Sequence, residues 1–262
     1  MITITFTNQK GGVAKTTTST HFAHYLAKQG YKVAFLDADG QANGTWFLKT
    51  YVSQLVSSTH FFSQLIDVIE DLNLVCIGSD KSVFGVKDVS RKTLIHNKSV
   101  LESQGFDYLI IDTAPSKSDA QISSLIISDG VFIPLRIGKL SFDGMKNVVD
   151  DISSINKNLR LKIKVFGLIP SHLIKMTDTN KRILEKLIFA YPKNTMPCLF
   201  NRQPFFTVMN GDDKHMDGHT PIWDIKPCAG NIKTASKEML RLMTALDNKV
   251  NEEMTTGETA NV

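Results

Sequence analysis

Apolar and polar positions alternate in blocks along the N-terminal part of the chain. Residues 2–7 (ITITFT) form a β-branched run that is typical of a strand. Residues 15–29 carry large apolar side chains at helical spacing, and Gly30 stands where a helix stop belongs. Residues 31–37 (YKVAFLD) are apolar but too few for a helix, which predicts a second strand. This order predicts one βαβ unit whose parallel strands are buried.

The same alternation continues through the rest of the chain. Further apolar runs predict strands at residues 72–78, 108–112, 130–137 and 162–170, with helical stretches between them. Repeated βα alternation predicts an α/β fold, an open and mostly parallel twisted sheet with helices on both faces. Ligands of such sheets bind at the carboxyl ends of the strands. We expect a single domain over residues 1–250 and a polar, flexible C-terminal tail over residues 251–262.

Composition narrows the classes of protein without naming a function. The chain has 262 residues, of which 42% are hydrophobic, so it can bury one ample core. The net charge of +4 only weakly suggests an acidic partner. The cysteines, Cys76, Cys198 and Cys228, are far apart, which disfavours a disulfide framework or a structural zinc site. Because no apolar run approaches the ~18 residues of a membrane span, we expect a cytoplasmic protein.

A glycine-rich segment connects the first predicted strand to the first predicted helix. It reads NQKGGVAKTT over residues 8–17. A phosphate cradle needs converging backbone N–H groups, followed by a helix N-terminus with its partial positive charge. We expect Gly11 and Gly12 to supply the unusual backbone angles of such a cradle. Lys15 would supply a point charge and Thr16 a hydroxyl group for Mg²⁺.

This segment departs from the ordinary phosphate-loop pattern, G-x-x-x-x-G-K-[ST]. Counting back from Lys15, the two expected glycines fall on Gln9 and Ala14. We expect the alanine to be tolerated with a negative φ, which any residue adopts easily. The segment also carries an additional lysine, Lys10, for which the ordinary pattern has no use.

NQKGGVAKTT resembles the deviant Walker A loop, K-G-G-x-x-K-[ST], of the ParA/MinD ATPases. Most members carry glycine where this chain has Ala14. The resemblance implies a P-loop NTPase fold of the deviant Walker type, with ATP and Mg²⁺ as cofactors. It also implies a nucleotide-sandwich homodimer in which Lys10 reaches the phosphates bound by the other copy. The implied nucleotide-binding residues are Lys10, Gly11, Gly12, Val13, Ala14, Lys15, Thr16 and Thr17.

A second segment, FLDADGQANGT at residues 35–45, resembles the motif D-x-D-P-Q-x-N of the same family. Asp37 and Asp39 match its two acids, and Gly40 stands in place of the commoner proline. The resemblance implies that Asp39 orients the attacking water and that Asp37 helps to organise the Mg²⁺ shell. An Asp-Gly turn after a strand is the alternative interpretation when this segment is taken alone.

A third segment, FDYLIIDTAPS at residues 106–116, resembles the Walker B strand. Asp112 at its end would face the phosphates and hold Mg²⁺ through water. Across the three motifs, the implied catalytic residues are Lys10, Lys15 and Asp39, and the implied metal-binding residues are Thr16, Asp37 and Asp112. Pro170 and Ser171, just past a predicted strand end, are the candidates for adenine contacts.

Members of this family differ in what they bind besides ATP. The loop begins at residue 8, so we expect no N-terminal helix-turn-helix domain. The end of the chain is polar and acidic, which disfavours the basic amphipathic helix of membrane-binding members. The remaining type binds DNA non-specifically, through positive side chains gathered on one surface.

A predicted helix at residues 231–246 offers such a surface. Lys233, Lys237 and Arg241 recur every four residues and share one face. The opposite face is apolar and consists of Ile232, Ala235, Met239, Leu242, Met243 and Leu246. Lys226 is a further candidate for DNA binding. An ordinary solvated helix face remains the alternative, because lysine at every fourth residue is common.

These observations favour a cytoplasmic, nucleoid-associated ATPase of the ParA type. ATP would drive dimerisation and binding to non-specific DNA, and a ParB-like or other adaptor protein would stimulate a slow, Mg²⁺-dependent hydrolysis. The cycle would segregate or position a cargo such as a plasmid or chromosome. The alternatives are a positioning ATPase for carboxysomes or chemoreceptor clusters, a MinD-like division regulator on membranes, and a nucleotide sensor with negligible turnover.

Overall fold

Seven strands form one sheet, and every pairing between them is parallel. The computed structural model describes residues 1–138, 142–173, 176–210, 220–225 and 230–258. The strands are β1 (Ile2–Phe6), β2 (Val33–Ala38), β3 (Leu74–Ile77), β4 (Tyr108–Thr113), β5 (Gly130–Arg136), β6 (Lys164–Leu173) and β7 (Leu199–Phe200). Their order across the sheet is β3-β2-β4-β1-β5-β6-β7.

Helices follow most of the strands. They are α1 (Lys15–Lys28), α2 (Asn43–Phe47), α3 (Ser58–Ser63), α4 (Arg91–Ser103), α5 (Asp119–Ile126), α6 (Phe142–Leu159), α7 (Asp178–Ala190), α8 (Gln203–Asn210) and α9 (Gly230–Glu258). Short 3-10 helices lie at Lys49–Tyr51 and Lys81–Gly85. The predicted α/β architecture, a parallel sheet flanked by helices, is confirmed.

The apolar runs of the sequence are strands buried on both faces. In β4, Tyr108 and Ile110 pack into the core formed with α1 and α9, and Leu109 and Ile111 pack into a second core formed with α3 and α4. Side chains alternate between the two faces of a strand, so a strand covered on both sides can be apolar at successive positions. This explains the continuous apolar runs in β2, β3 and β4, whereas β1 (ITITF) alternates apolar residues with buried threonines.

The strand order brings the three sequence motifs to one edge of the sheet. β4 lies between β1 and β2, and all three strands point the same way. In the pairing register Asp112 is opposite Phe6 on one side and opposite Asp37 on the other. The loop after β1 and the acids of β2 and β4 therefore meet at the carboxyl ends of adjacent strands.

The C-terminal helix is longer than the sequence indicated. α9 continues to Glu258, so residues 251–258 of the expected flexible tail are helical, and residues 259–262 lie outside the described residues. Met254 packs against the core, and the Glu253 carboxylate lies 2.8 Å from the Lys249 ammonium group and 3.3 Å from that of Lys164. These contacts extend the helix past the point at which its composition becomes polar.

Two buried histidines fasten α1 to its neighbours in the neutral form. The Ile222 N–H donates to Nε2 of His21 at 3.3 Å, so its Nδ1 carries the proton and donates to the Thr17 carbonyl at 2.7 Å. Burial lowers the pKa of His21 to about 3 and that of His24 to about 4. The His24 ring packs edge-on against Phe47, with the ring centroids 5.9 Å apart.

Neutral burial of these histidines predicts a loss of stability on acidification. Between pH 6.5 and about 4 the unfolded chain binds protons at His21 and His24 that the folded chain excludes, so the free energy of unfolding falls as the pH falls. His24→Gln should make the fall between pH 7 and pH 5 smaller by about 1 to 2 kcal/mol. Urea unfolding of both proteins at pH 7 and pH 5 measures this change in the free energy of unfolding.

The control for this experiment is Gln29→Ala, which changes an exposed residue without a titratable side chain at the end of α1 and should leave the pH dependence as in the wild-type protein. A His24→Gln variant with the full wild-type loss at pH 5 would contradict the neutral burial of His24.

Candidate functional site

The loop between β1 and α1 is held from below by side chains of distant strands. The Asn8 amide donates to the Pro134 carbonyl at 2.7 Å and accepts the Lys10 N–H at 2.9 Å. The Ser171 hydroxyl donates to the Val13 carbonyl at 2.8 Å. Because β5 and β6 supply these contacts, the loop has a fixed shape set by the sheet beneath it.

A second set of contacts attaches the loop to α6. The Gln9 amide donates to the Asp151 carboxylate at 3.1 Å and accepts a hydrogen bond from the Asn147 amide at 3.0 Å. At Gly144 a Cβ atom would lie 2.4 Å from the Asn8 side-chain oxygen, so only glycine allows α6 this close. Gln9 occupies an expected glycine position of the ordinary pattern, and here its side chain serves as an anchor.

The backbone of the loop differs from the sequence prediction at two positions. Ala14 has φ 68°, in the left-handed region, so the expectation of a negative φ was wrong. Gly12 also has a positive φ of 67°, whereas Gly11 does not, so only one of the two glycines supplies an unusual angle. The left-handed region costs a residue with a Cβ atom about 1 to 2 kcal/mol. The anchors on Val13 and Asn8 hold the loop in this strained shape.

Helix α1 begins directly after the loop with free N–H groups. No side chain caps its N-terminus, and no acidic residue lies in its first turn. Unsatisfied N–H groups and the helix dipole attract an anion. Lys15 adds a positive charge at the same place and is only 6% exposed, with its ammonium group donating to the Lys10 carbonyl at 3.0 Å. The pKa of Lys15 is lowered by burial, and this is partly offset by Asp112 and Asp39.

Asp112 is a buried acid with one carboxylate oxygen bonded and the other without a partner among the described residues. The Thr16 hydroxyl donates to one of its carboxylate oxygens at 2.6 Å, and the other oxygen is buried without a hydrogen-bond partner. Burial, with Asp37 nearby, raises the pKa of Asp112 to about 8. A cation at the unpaired oxygen would satisfy it and favour the ionised form. Thr16 and Asp112 therefore fit Mg²⁺ as the resemblance implied.

Asp37 is occupied by the segment that follows β2. One of its oxygens accepts the Asp39 N–H at 3.1 Å, and the other accepts both the N–H and the hydroxyl of Thr45 at 2.7 Å. Burial raises the pKa of Asp37 to about 6. These bonds tie Asp37 to the segment that carries Asp39 and Thr45, and its organising role in the Mg²⁺ shell stays a prediction. The sequence offered no signal for Thr45, although it lies within the second motif.

Asp39 has one oxygen fixed and one available. Its Oδ1 accepts the Gln41 N–H at 2.9 Å, and its backbone carbonyl accepts the Ala42 N–H at 2.8 Å. Its Oδ2 accepts no hydrogen bond from the part of the chain that the structure describes. A carboxylate with one free oxygen at the rim of a buried acid cluster can bind a water molecule.

The described ranges contain no cluster of three acidic, histidine or cysteine side chains arranged to enclose a metal ion. Of the candidate metal residues, Thr16 and Asp112 are hydrogen-bonded to each other and Asp37 is bonded to Thr45. Metal binding by these residues stays a prediction.

Pro170 and Ser171 are both buried, and Ser171 lies under the loop. The Ser171 hydroxyl donates its one proton to the Val13 carbonyl at 2.8 Å and also lies 3.2 Å from the Leu135 carbonyl. Its side chain supports the phosphate loop, and the sequence pattern gave no signal for this role. Adenine contacts by Pro170 and Ser171 stay a prediction.

The basic residues of α9 lie where the helical pattern put them. Lys233, Lys237 and Arg241 are exposed, and Met239 and Leu242 on the opposite face are fully buried. None of the three forms an ion pair with the described residues, in contrast to Arg202, which binds Glu238 at 2.6 Å. Lys226 lies outside the described residues. We call Lys233, Lys237 and Arg241 the α9 basic surface.

Comparison with known proteins decides the family. A family model described as an AAA domain matches residues 1–165. The sporulation initiation inhibitor protein Soj of Bacillus subtilis (strain 168) is 30% identical over 196 residues, covering 70% of this chain and 78% of Soj. The chain belongs to the ParA/MinD family. The chain is thus related to ParA-like partition and positioning ATPases.

Two further ParA/MinD relatives match almost the whole chain. Protein IncC of Escherichia coli is 29% identical over 256 residues, covering 92% of this chain and 68% of IncC. A variant of McdA from Cyanothece, solved in complex with ATP, superimposes with a TM-score of 0.74 at 19% identity. That match covers 94% of this chain and 96% of McdA, and it shows the shared ParA/MinD fold. No helix in the described ranges is long and apolar enough to span a membrane.

The left-handed conformation of Ala14 yields a prediction for stability. Ala14→Gly removes the Cβ atom from a residue with φ 68° and should raise the free energy of unfolding by about 1 kcal/mol. Ala27→Gly, inside α1, is the matched control and should lower it by about 1 kcal/mol. Urea unfolding of both variants measures the change. An equal loss in the two variants would contradict strain at Ala14.

Proposed function

We propose that the chain binds ATP with Mg²⁺ at the loop between β1 and α1 and hydrolyses the ATP. The observation that carries this proposal is the Asp112 carboxylate, which accepts the Thr16 hydroxyl and has a second, buried oxygen without a partner. The ATP complex of the related McdA supports the choice of nucleotide. Mg²⁺, when bound, neutralises charge on the phosphate oxygens during phosphoryl transfer.

The residues of the site divide the work of hydrolysis. The first N–H groups of α1 and the Lys15 ammonium group would bind the phosphates. Thr16 and Asp112 would hold the Mg²⁺ that accompanies them. Asp39 accepts a hydrogen bond from a water molecule at its free Oδ2 and orients it in line with the terminal phosphorus. Attack by this water breaks the bond to the bridging oxygen and yields ADP and phosphate.

The additional lysine, Lys10, links two copies of the chain in this proposal. Its backbone N–H is fixed by Asn8, and its ammonium group forms no ion pair with the described residues. A lysine held at the rim of a phosphate site can reach an anion on another molecule. ATP would thus join two copies by placing each Lys10 on the phosphates of the other, and hydrolysis would release them.

Dimerisation would also control binding to DNA. Two copies bring together two α9 basic surfaces, which doubles the number of phosphate contacts on one duplex. The ATP form would therefore reside on the nucleoid in the cytoplasm, and a ParB-like or other adaptor on the cargo would stimulate hydrolysis and release it. The names of the relatives support this role, since plasmid, chromosome and cell-division proteins occur among them.

Removal of the Asp39 carboxylate tests the hydrolytic step. Asp39→Ala should lower the turnover of ATP by about 100-fold, because general acid–base assistance contributes at least that much. ATP affinity should stay within about threefold, since Lys15 and Thr16 are intact. Phosphate release and equilibrium binding of a fluorescent ATP analogue measure the two effects, with Asp67→Ala at an exposed position as the control. Wild-type turnover in Asp39→Ala would remove Asp39 from the mechanism.

The α9 basic surface is tested by neutralising it. A Lys233→Ala, Lys237→Ala and Arg241→Ala triple variant should lose ATP-dependent binding to a long non-specific duplex in a gel shift. Its binding should also depend less on salt, with the log–log slope smaller by about 3 per copy. Reactions without nucleotide, with ADP and with ATP–Mg²⁺ are run at two salt concentrations.

The matched control for this variant removes the same charge elsewhere. Lys49→Ala, Lys87→Ala and Lys92→Ala changes three exposed lysines outside α9 and should bind as the wild-type protein does. Equal losses in the two triple variants would mean that overall charge, and not the α9 basic surface, holds the DNA. DNA binding that is equal without nucleotide, with ADP and with ATP–Mg²⁺ would show that the ATP site does not control it.

A further inference from the structure

The turn that carries Asp39 is covered by an aromatic ring from another part of the chain. Asp39, Gly40, Gln41 and Ala42 form a β-turn closed by the bond from the Ala42 N–H to the Asp39 carbonyl. The ring of Phe84 lies directly on Gly40, where an added Cβ atom would come within 2.5 to 2.7 Å of three ring carbons. Gly40 has no positive φ, so glycine is needed here for space and not for backbone angles.

Phe84 does not owe this position to burial in the core, because half of its surface (50%) is exposed. Its place is set by the segment of residues 79–85, which we call the buttress. The Ser79 N–H donates to the Thr45 hydroxyl at 2.7 Å, and the Ser82 N–H donates to the Asp80 carboxylate at 2.7 Å. Val83, next to Phe84, is buried. The buttress is therefore held in place by contacts other than that between Phe84 and Gly40.

The buttress therefore contacts the Asp39 region at two points. One is Thr45, whose N–H and hydroxyl hold Asp37. The other is Gly40, the residue directly after Asp39. Both contacts come from the segment after β3, which is next to β2 at the carboxyl edge of the sheet.

We propose that Phe84 is a positioning residue for ATP hydrolysis, which holds the Asp39 turn by pressing on Gly40. The inference rests on the proposed function, since it concerns the water that Asp39 orients. Glycine has the largest backbone freedom of any residue, and the three atoms nearest to a Cβ position at Gly40 all belong to the Phe84 ring. A small displacement of a catalytic group is enough to slow a reaction by one or two orders of magnitude.

Removal of the ring should slow hydrolysis without weakening nucleotide binding. Phe84→Ala is expected to lower the single-turnover rate of bound ATP by about 10-fold or more and to leave the dissociation constant for ATP within about twofold. This split follows because the nucleotide-binding groups, Lys15, Thr16 and Asp112, bond to one another and to the loop and not to Phe84. Leu65→Ala, at a comparably exposed apolar residue (53%) outside the buttress, is the control and should match the wild type in both.

A second substitution separates positioning from general loss of structure. Gly40 is the second residue of this hydrogen-bonded turn. Because neither Gly40 nor Gln41 has a positive φ, types II, I′ and II′ are excluded, and proline is favoured at the second position of the common type I turn that is left. In the Phe84→Ala background Gly40→Pro should restore the rate to within about threefold of wild type by stiffening the turn. With Phe84 present the same change should lower the rate, since the proline ring and the phenyl ring need the same space.

The outcomes distinguish the two proposals. Opposite effects of Gly40→Pro in the two backgrounds support the positioning role of Phe84. Equal effects in both backgrounds, or a Phe84→Ala rate equal to that of Leu65→Ala, overturn it and leave ATP hydrolysis in place. A wild-type protein that binds ATP without any turnover overturns the proposed function and the inference with it.

Discussion

Three carboxylates and one ammonium group share a buried corner of this sheet, and their charges do not balance. Asp37, Asp39 and Asp112 lie around Lys15, and burial together with mutual repulsion raises the pKa of Asp112 to about 8. Burying charge without compensation is expensive, so such a cluster persists only with a cation or a shared proton. The parallel order of β1, β4 and β2 makes the cluster possible, because it brings the three strand ends together. The loop, the Asp39 turn and α1 are arranged around it.

The phosphate loop shows how local strain is held by distant contacts. Ala14 takes a left-handed conformation that its own side chain disfavours. The compensation comes from Ser171 and Asn8, whose hydrogen bonds tie the loop to β5 and β6. A strained backbone persists only when its surroundings over-determine it, and such positions gather at functional sites. Ser171, buried under the loop, is thus needed for the shape of the site in which Lys15 lies.

The sequence predicted what depends on local pattern and missed what depends on remote contacts. Apolar runs and glycine turns predicted the strands, and the motifs at residues 8–17, 35–45 and 106–116 do converge at one edge. The predicted sign of φ at Ala14 was wrong, because the shape of the loop is set by hydrogen-bond partners more than a hundred residues away. The helical state of residues 251–258 was missed because Glu253 binds Lys164 on a strand. Composition alone cannot report such pairings.

The hydrogen bond between Ile222 and His21 has a consequence for how the chain folds. It joins residues 201 apart in sequence, and α9 covers the same face of α1 and β1 that this bond secures. Loop closure over such a distance carries a large entropic cost, and contacts of this kind form late. During synthesis all three nucleotide motifs leave the ribosome long before α9, so the apolar face beneath them, with Phe6 and Phe22, is the last to be covered.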